Sequence, residues 1–82
     1  MRYTVVWVPA AEQTLANIWN HAADKDDITD ATYRIDTALA NDPETKGKPF
    51  RQFWVRNEPP LAVLYEIIPD DRMVRVLTVK RI

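Results

Sequence analysis

Residues 51–82 read RQFWVRNEPPLAVLYEIIPDDRMVRVLTVKRI. Three runs in this stretch, about 51–57, 61–68 and 72–81, are rich in β-branched, aliphatic and aromatic side chains and predict strands. Asn57-Glu58-Pro59-Pro60 separates the first pair, Pro69-Asp70-Asp71 separates the second, and no run holds an internal proline. Joints this short connect antiparallel neighbours, because a parallel pair needs a crossover of about a dozen residues or more. The C-terminal stretch therefore predicts a three-stranded meander.

The preceding residues must cover one face of that sheet. Residues 3–8, Tyr-Thr-Val-Val-Trp-Val, have high strand propensity, and neither parity is fully polar, so this strand is expected to be covered on at least one side. Pro9 suits the first turn of a helix, where its missing N–H costs nothing. Ala11, Leu15, Ile18, Trp19 and Ala22 then recur at helical spacing over residues 10–23. After the polar break at 23–27, Asp26 or Asp27 can cap a second helix, with Ile28, Ala31, Ile35, Ala38 and Leu39 as its apolar stripe. Asn41-Asp42-Pro43 ends it. A joint so short makes an antiparallel αα-hairpin. Residues 43–50 contain the only glycine and predict a loop. The expected architecture is one α+β domain over residues 1–82, β-α-α-β-β-β, an antiparallel sheet with an αα-hairpin packed on one face.

Alternation assigns the strand faces. Phe53 and Val55 are expected in the core, and Gln52, Trp54 and Arg56 on the open face. On the last strand Val74, Val76 and Thr78 are expected against the helices, and Arg75, Leu77, Val79 and Arg81 on the open side. The open face then gathers Trp54, Arg56, Arg75 and Arg81 into a basic-aromatic patch, a composition common in contact surfaces. The bland alternative is that strand arginines blunt edge pairing and Trp54 covers the sheet.

The net charge of −1 conceals an asymmetry. Residues 1–42 carry three basic and seven acidic side chains, and residues 43–82 carry eight basic and five acidic ones. Such a split can mark a surface that meets an acidic partner, although ordinary solvated faces explain it equally. The chain has no cysteine and no serine, so it offers no thiolate metal site, no disulfide framework and neither of the commonest nucleophiles. His21 is the only histidine and has no ligand-spaced companions. One glycine cannot make a phosphate-cradling Gly-rich loop. Asp26-Asp27 and Asp70-Asp71 are explained by helix-start and turn chemistry. No metal and no cofactor is expected. No run approaches a membrane span and no secretory leader is visible, so a soluble, cytoplasmic protein is the expectation.

The order of these elements resembles the RelE/ParE superfamily of toxins from type II toxin–antitoxin and plasmid-stabilisation modules. The stretches that carry the resemblance are VVWVPAAEQTLANIW, ITDATYRIDTALANDPETKGKPF, FWVRN, LAVLYEII and RMVRVLTVKR, nearly the whole chain. It implies growth inhibition relieved by a cognate antitoxin protein that wraps the toxin. RelE-like members are ribosome-dependent mRNA endonucleases that use sheet lysines and arginines to stabilise phosphate charge. ParE-like members bind and poison DNA gyrase. Aligned on FWVRN, the two strand-lysine positions of the nucleases hold Gln52 and Trp54, and a strand arginine is replaced by Ala62. Arg56 keeps its place, and Lys80-Arg81 lies near that of the C-terminal catalytic arginine. The tail that in nuclease members supplies a further catalytic side chain is missing after Ile82.

The resemblance therefore favours a binding protein over an enzyme. Trp54, Arg56, Arg75, Lys80 and Arg81 are its expected partner-binding residues. A nuclease would have to rely on Lys46, Lys48, Arg56 and Arg81, with the loop of Lys46 and Lys48 folded over the sheet. The implied partners are the antitoxin, then gyrase or the ribosome with its mRNA, or a second copy in a homodimer. A non-toxic binding domain of the same fold is the remaining alternative.

Overall fold

Val8-Pro9 turns a strand into a helix. In the computed structural model, which describes residues 2–82, strand β1 (Thr4–Trp7) leads through Val8 into α1 (Pro9–His21), with proline in the first turn. Helix α2 (Lys25–Ala40) follows after three residues. Asp24, rather than Asp26 or Asp27, holds its cap position; the two expected caps lie within the first turn, where their charge suits the positive end of the helix. Asp42, at a left-handed φ of 86°, and Pro43 end α2.

The chain then forms β2 (Lys48–Phe50), β3 (Phe53–Glu58), β4 (Leu61–Ile68) and β5 (Met73–Arg81). The sheet order is β1-β5-β4-β3-β2. The predicted meander is present as β3, β4 and β5, antiparallel throughout. Two features differ from expectation. First, β1 runs parallel to β5, so the sheet is mixed. Short joints dictate how consecutive strands pair, but they say nothing of a first strand whose neighbour comes last. The helices and the meander together provide the long crossover that a parallel pair requires. Second, residues 48–50 form an edge strand on β3, closed by a two-residue turn with Arg51 at φ 60°. An arginine where a glycine would announce the turn, and a proline inside a three-residue strand, hid this hairpin. Pro49 is tolerated because its edge position demands no donor.

The core lies between the helices and one sheet face. Ile28, Ala31, Ile35 and Leu39 of α2 pack with Leu61, Val63 and Tyr65 of β4 and Val74, Val76 and Val79 of β5. Each of the larger aliphatic side chains contributes roughly 1.5–3 kcal/mol on burial. Tyr65 is buried with them, and its hydroxyl donates to the Pro43 carbonyl at 2.8 Å.

Register reverses the expected faces of β3. Trp54 stands opposite Tyr65 and Arg56 opposite Val63, so both point to the helix side, and Trp54 packs on the core. Phe53 and Val55 take the open face. Both parities of this strand are partly apolar, so alternation alone cannot choose between them. On β5 a bulge does the rest. Leu64 pairs with Thr78 and Tyr65 with Val76, leaving Leu77 without an opposite residue. Beyond the bulge the parity flips. Val79 and Arg81 therefore join Val74 and Val76 on the helix side, while Arg75, Thr78 and Lys80 face outward.

Candidate functional site

The open sheet face has an apolar floor. Phe50, Phe53, Val55, Leu64 and Met73 lie on it, with Phe50 52% and Val6 38% exposed. Four cations stand over or beside the floor, one of them Arg51, whose guanidinium lies 5.7 Å from the centre of the Phe50 ring. Arg75 is paired with Glu66 across the strands, Nη1 to Oε2 at 3.1 Å. Lys48 and Lys80 make no ion pair among the described residues. Lys48 lies in a row with Val55, Leu64 and Thr78, three strand spacings or roughly 14 Å from β5. These charges therefore do not converge on one point.

The other expected site residues are elsewhere. Arg56 donates from Nη1 to the Lys46 carbonyl at 2.8 Å and from Nη2 to Glu58 at 2.7 Å. Glu58 also accepts from Arg34 Nε of α2 at 2.9 Å. Burial acts to raise the Glu58 pKa, yet the hydrogen bonds from Arg34 and Arg56 outweigh it and hold the carboxyl below its ordinary value. Arg56 is thus a fastener between β3, α2 and the preceding loop. Arg81 reaches over to Asp24 at the helical joint, Nη2 to Oδ2 at 2.6 Å. That hydrogen bond keeps the Asp24 carboxyl below its usual range and raises the guanidinium. Lys46 donates to the Asn41 carbonyl beyond the C-terminus of α2 at 3.1 Å. Of the expected basic-aromatic patch, only Arg75 is on the open face, accompanied by Lys80; Trp54, Arg56 and Arg81 are not. Of the four residues a nuclease would use, only Lys48 points out from the open face, but Lys46, Lys48 and Arg56 together line an open cavity of about 460 Å³ at the β2–β3 edge, and only Arg81 lies apart from them.

Gly47 explains how the loop is held against the sheet edge beside the buried Tyr65 hydroxyl. A Cβ at this position would collide with the Tyr65 hydroxyl and lie 2.8 Å from the Val55 carbonyl. Only glycine lets the chain pass so close. Burial pushes the Tyr65 phenol up to about 12, so it acts as a hydrogen-bond donor and not as an acid near neutrality.

A second surface lies on the opposite side of the molecule. An open groove of about 550 Å³ runs between α1 and α2, lined by Leu15, Ala16, Trp19, Ile28, Thr32 and Tyr33 among others. Trp19 is 41% exposed and Tyr33 72%. Trp19 Nε1 donates to Thr29 Oγ1 at 3.2 Å, which ties its ring across the groove to α2. At the sheet end Trp7 Nε1 donates to Asp36 Oδ1 at 2.8 Å. Helical periodicity places Trp19 in the core stripe and does not reveal this groove. Tyr33, an aromatic outside the stripe of α2, was the available signal. Among the described residues no group of three or more His, Cys, Asp or Glu could hold a metal ion. No helix there is long and apolar enough to cross a membrane.

This arrangement, an αα-hairpin on one face of a five-stranded mixed sheet with an open apolar reverse face, is a two-layer α+β fold. No family model and no curated protein matches the sequence. Solved structures do match. The toxin–antitoxin complex RelBE2 from Mycobacterium tuberculosis superposes with a TM-score of 0.84 at 20% identity, covering 100% of this chain and 93% of that one. The archaeal RelE-RelB complex from Pyrococcus horikoshii OT3 gives 0.72 at 14%, covering 99% and 96%. The chromosomal ParDE system of P. aeruginosa gives 0.75 at 13%, covering 99% and 97%. The protein has the fold of the RelE and ParE toxin structures.

Proposed function

We propose that the protein is the toxin-type member of a type II toxin–antitoxin pair and that it acts by binding. Its first partner is a cognate antitoxin, and its second is a macromolecular target in the cytoplasm, such as DNA gyrase. The fold shared with toxin–antitoxin complexes supports the class. The observation that carries the mode of action is the distribution of cations. Arg81 is bound to Asp24 on the helix side, Arg56 is held by Glu58 and the Lys46 carbonyl, and on the open face Lys48 and Lys80 stand apart on an apolar floor beside the Glu66-paired Arg75. RNA cleavage by cations needs them aimed together at one phosphate. An apolar floor with a few charges at its margin suits a protein partner better.

The alternative, a ribosome-dependent mRNA endonuclease, draws its support from the cavity at the β2–β3 edge that Lys46, Lys48 and Arg56 line together. Expression in growing bacteria separates the two. Transcript 5′ ends and gyrase-dependent DNA breaks are mapped in the same cells. DNA breaks with intact messages are the expected result. Cuts at a fixed codon position would replace the binding reading with the nuclease. Growth without any defect would leave a binding domain that is not toxic. The isolated protein is expected to cover its apolar open face with a second copy, which equilibrium sedimentation reads directly.

A further inference from the structure

The helical hairpin presents an apolar groove with an acidic surround. Glu12 and Asp36 belong to its lining, and no lysine or arginine does. Asp26 and Asp30 precede Tyr33 at helical spacing of seven and three residues, which puts them on the same flank of α2. Residues 9–40 hold six acidic and two basic side chains. Both basic ones are engaged: Lys25 donates to the Ala22 carbonyl and lies 5.2 Å from the centre of the Trp19 ring, and Arg34 is bound to Glu58. The groove follows α1 from Glu12 to Asn20, about 12 Å along the helix axis. Ala16 and Thr32, both small, leave space between the larger walls of Leu15, Trp19 and Tyr33. The hydrogen bond to Thr29 holds Trp19 in place before anything docks.

We propose that this groove receives a basic amphipathic helix of about three turns from a partner protein, completing a third helix on this layer. Shape calls for a helix, because the concavity runs between two antiparallel helices and takes apolar side chains at i, i+3, i+4 and i+7. Charge selects among helices. A second copy docked groove to groove would bring the same acidic flanks and is repelled, its basic side chains lie on a sheet face that is not a helix, and nucleic acid and anionic lipid are repelled as well. Lysine or arginine on the flanks of the incoming helix would meet Asp26, Asp30, Glu12 and Asp36. The proposal stands on the groove alone and holds whether or not the protein is toxic.

The test uses the full-length protein and two synthetic peptides of about 14 residues with one apolar pattern, lysine flanks in one and glutamate flanks in the other. Binding is followed by amide and indole NMR signals. The lysine peptide is expected to bind about tenfold or more tighter than the glutamate peptide at low salt, the gap narrowing as salt rises. Shifts are expected at Trp19, Leu15 and Thr32. Ala16→Lys, at an exposed position, is expected to weaken binding about tenfold, whereas Phe50→Asp on the opposite face leaves it unchanged. No detectable binding below millimolar peptide, equal affinity for both peptides, or shifts centred on Phe50 and Lys48 would each overturn the proposal. Growth inhibition measured on the same variants reports separately on the toxin reading.

Discussion

The helical face and the open sheet face both leave apolar surface in water, and they surround it with opposite charge. The groove between α1 and α2 has exposed aromatics within an acidic setting. The open face has Phe50, Phe53, Val55 and Leu64 with Lys48, Lys80 and Arg75 beside them. A net charge of −1 over the chain therefore averages two unlike surfaces. Charge of this kind selects partners and steers their approach more than it stabilises the fold. As proposed, one molecule has two unlike docking faces, while Arg56 and Arg81, expected in a basic patch, are used as fasteners.

The sharpest way to break that comparison is through the core the two faces share. Ile35→Ala is expected to cost about 2–5 kcal/mol, because Ile35 is fully buried between α2 and the sheet. Urea unfolding should show groove and sheet signals lost together in one transition. Separate transitions would mean that the faces are independent layers.

Gly47→Ala should act next, and on one side. Its methyl group would press on the Tyr65 hydroxyl and the Val55 carbonyl, costing roughly 1–3 kcal/mol. The NMR shifts should concentrate near Lys48 and spare Trp19 and Tyr33.

Acidification probes the fasteners. Arg34 and Arg56 hold the folded Glu58 carboxyl below its ordinary value of 4.5, so its contribution is present above that value and is lost as pH falls through the lower folded value. Glu58→Gln should flatten stability against pH in that acid window, with little change in slope near neutrality. An unchanged acid limb would show that the Arg34–Glu58–Arg56 link does not fasten the sheet to α2.

Smallest of all is the expected stability effect of Phe50→Asp, within about 0.5 kcal/mol, since the side chain is half in water already. A large loss of stability would mean that the open face is structural and not a binding surface.

The sequence reveals much of this fold and less of the site. The Pro-rich and Asp-rich joints announce the meander, and the stripes Ile28-Ala31-Ile35-Leu39 and Ala11-Leu15-Ile18 announce the hairpin. The parallel placement of β1 has no local signal, because it depends on which edge of the sheet remains open after the meander forms. The strand at Lys48–Phe50 has weak propensity and exists through its pairing with β3. The strand faces differ from the expected ones for two physical reasons. Trp54 and Phe53 are both apolar enough for the core, and only register against Tyr65 decides between them. On β5, a single unpaired residue, Leu77, turns Arg81 from the open face to Asp24 while Arg75 stays outside. Two arginines six residues apart share a face by counting and oppose each other in the fold.

Growth arrest by Phe50→Asp and Arg81→Ala, each shown to be folded by circular dichroism, tests the central claim most directly. If the open apolar face binds the target and Arg81 serves only to fasten strand to helix, Phe50→Asp abolishes growth arrest and Arg81→Ala retains it. Arrest lost with folded Arg81→Ala and kept with Phe50→Asp would contradict the account and return Arg81 to a catalytic role.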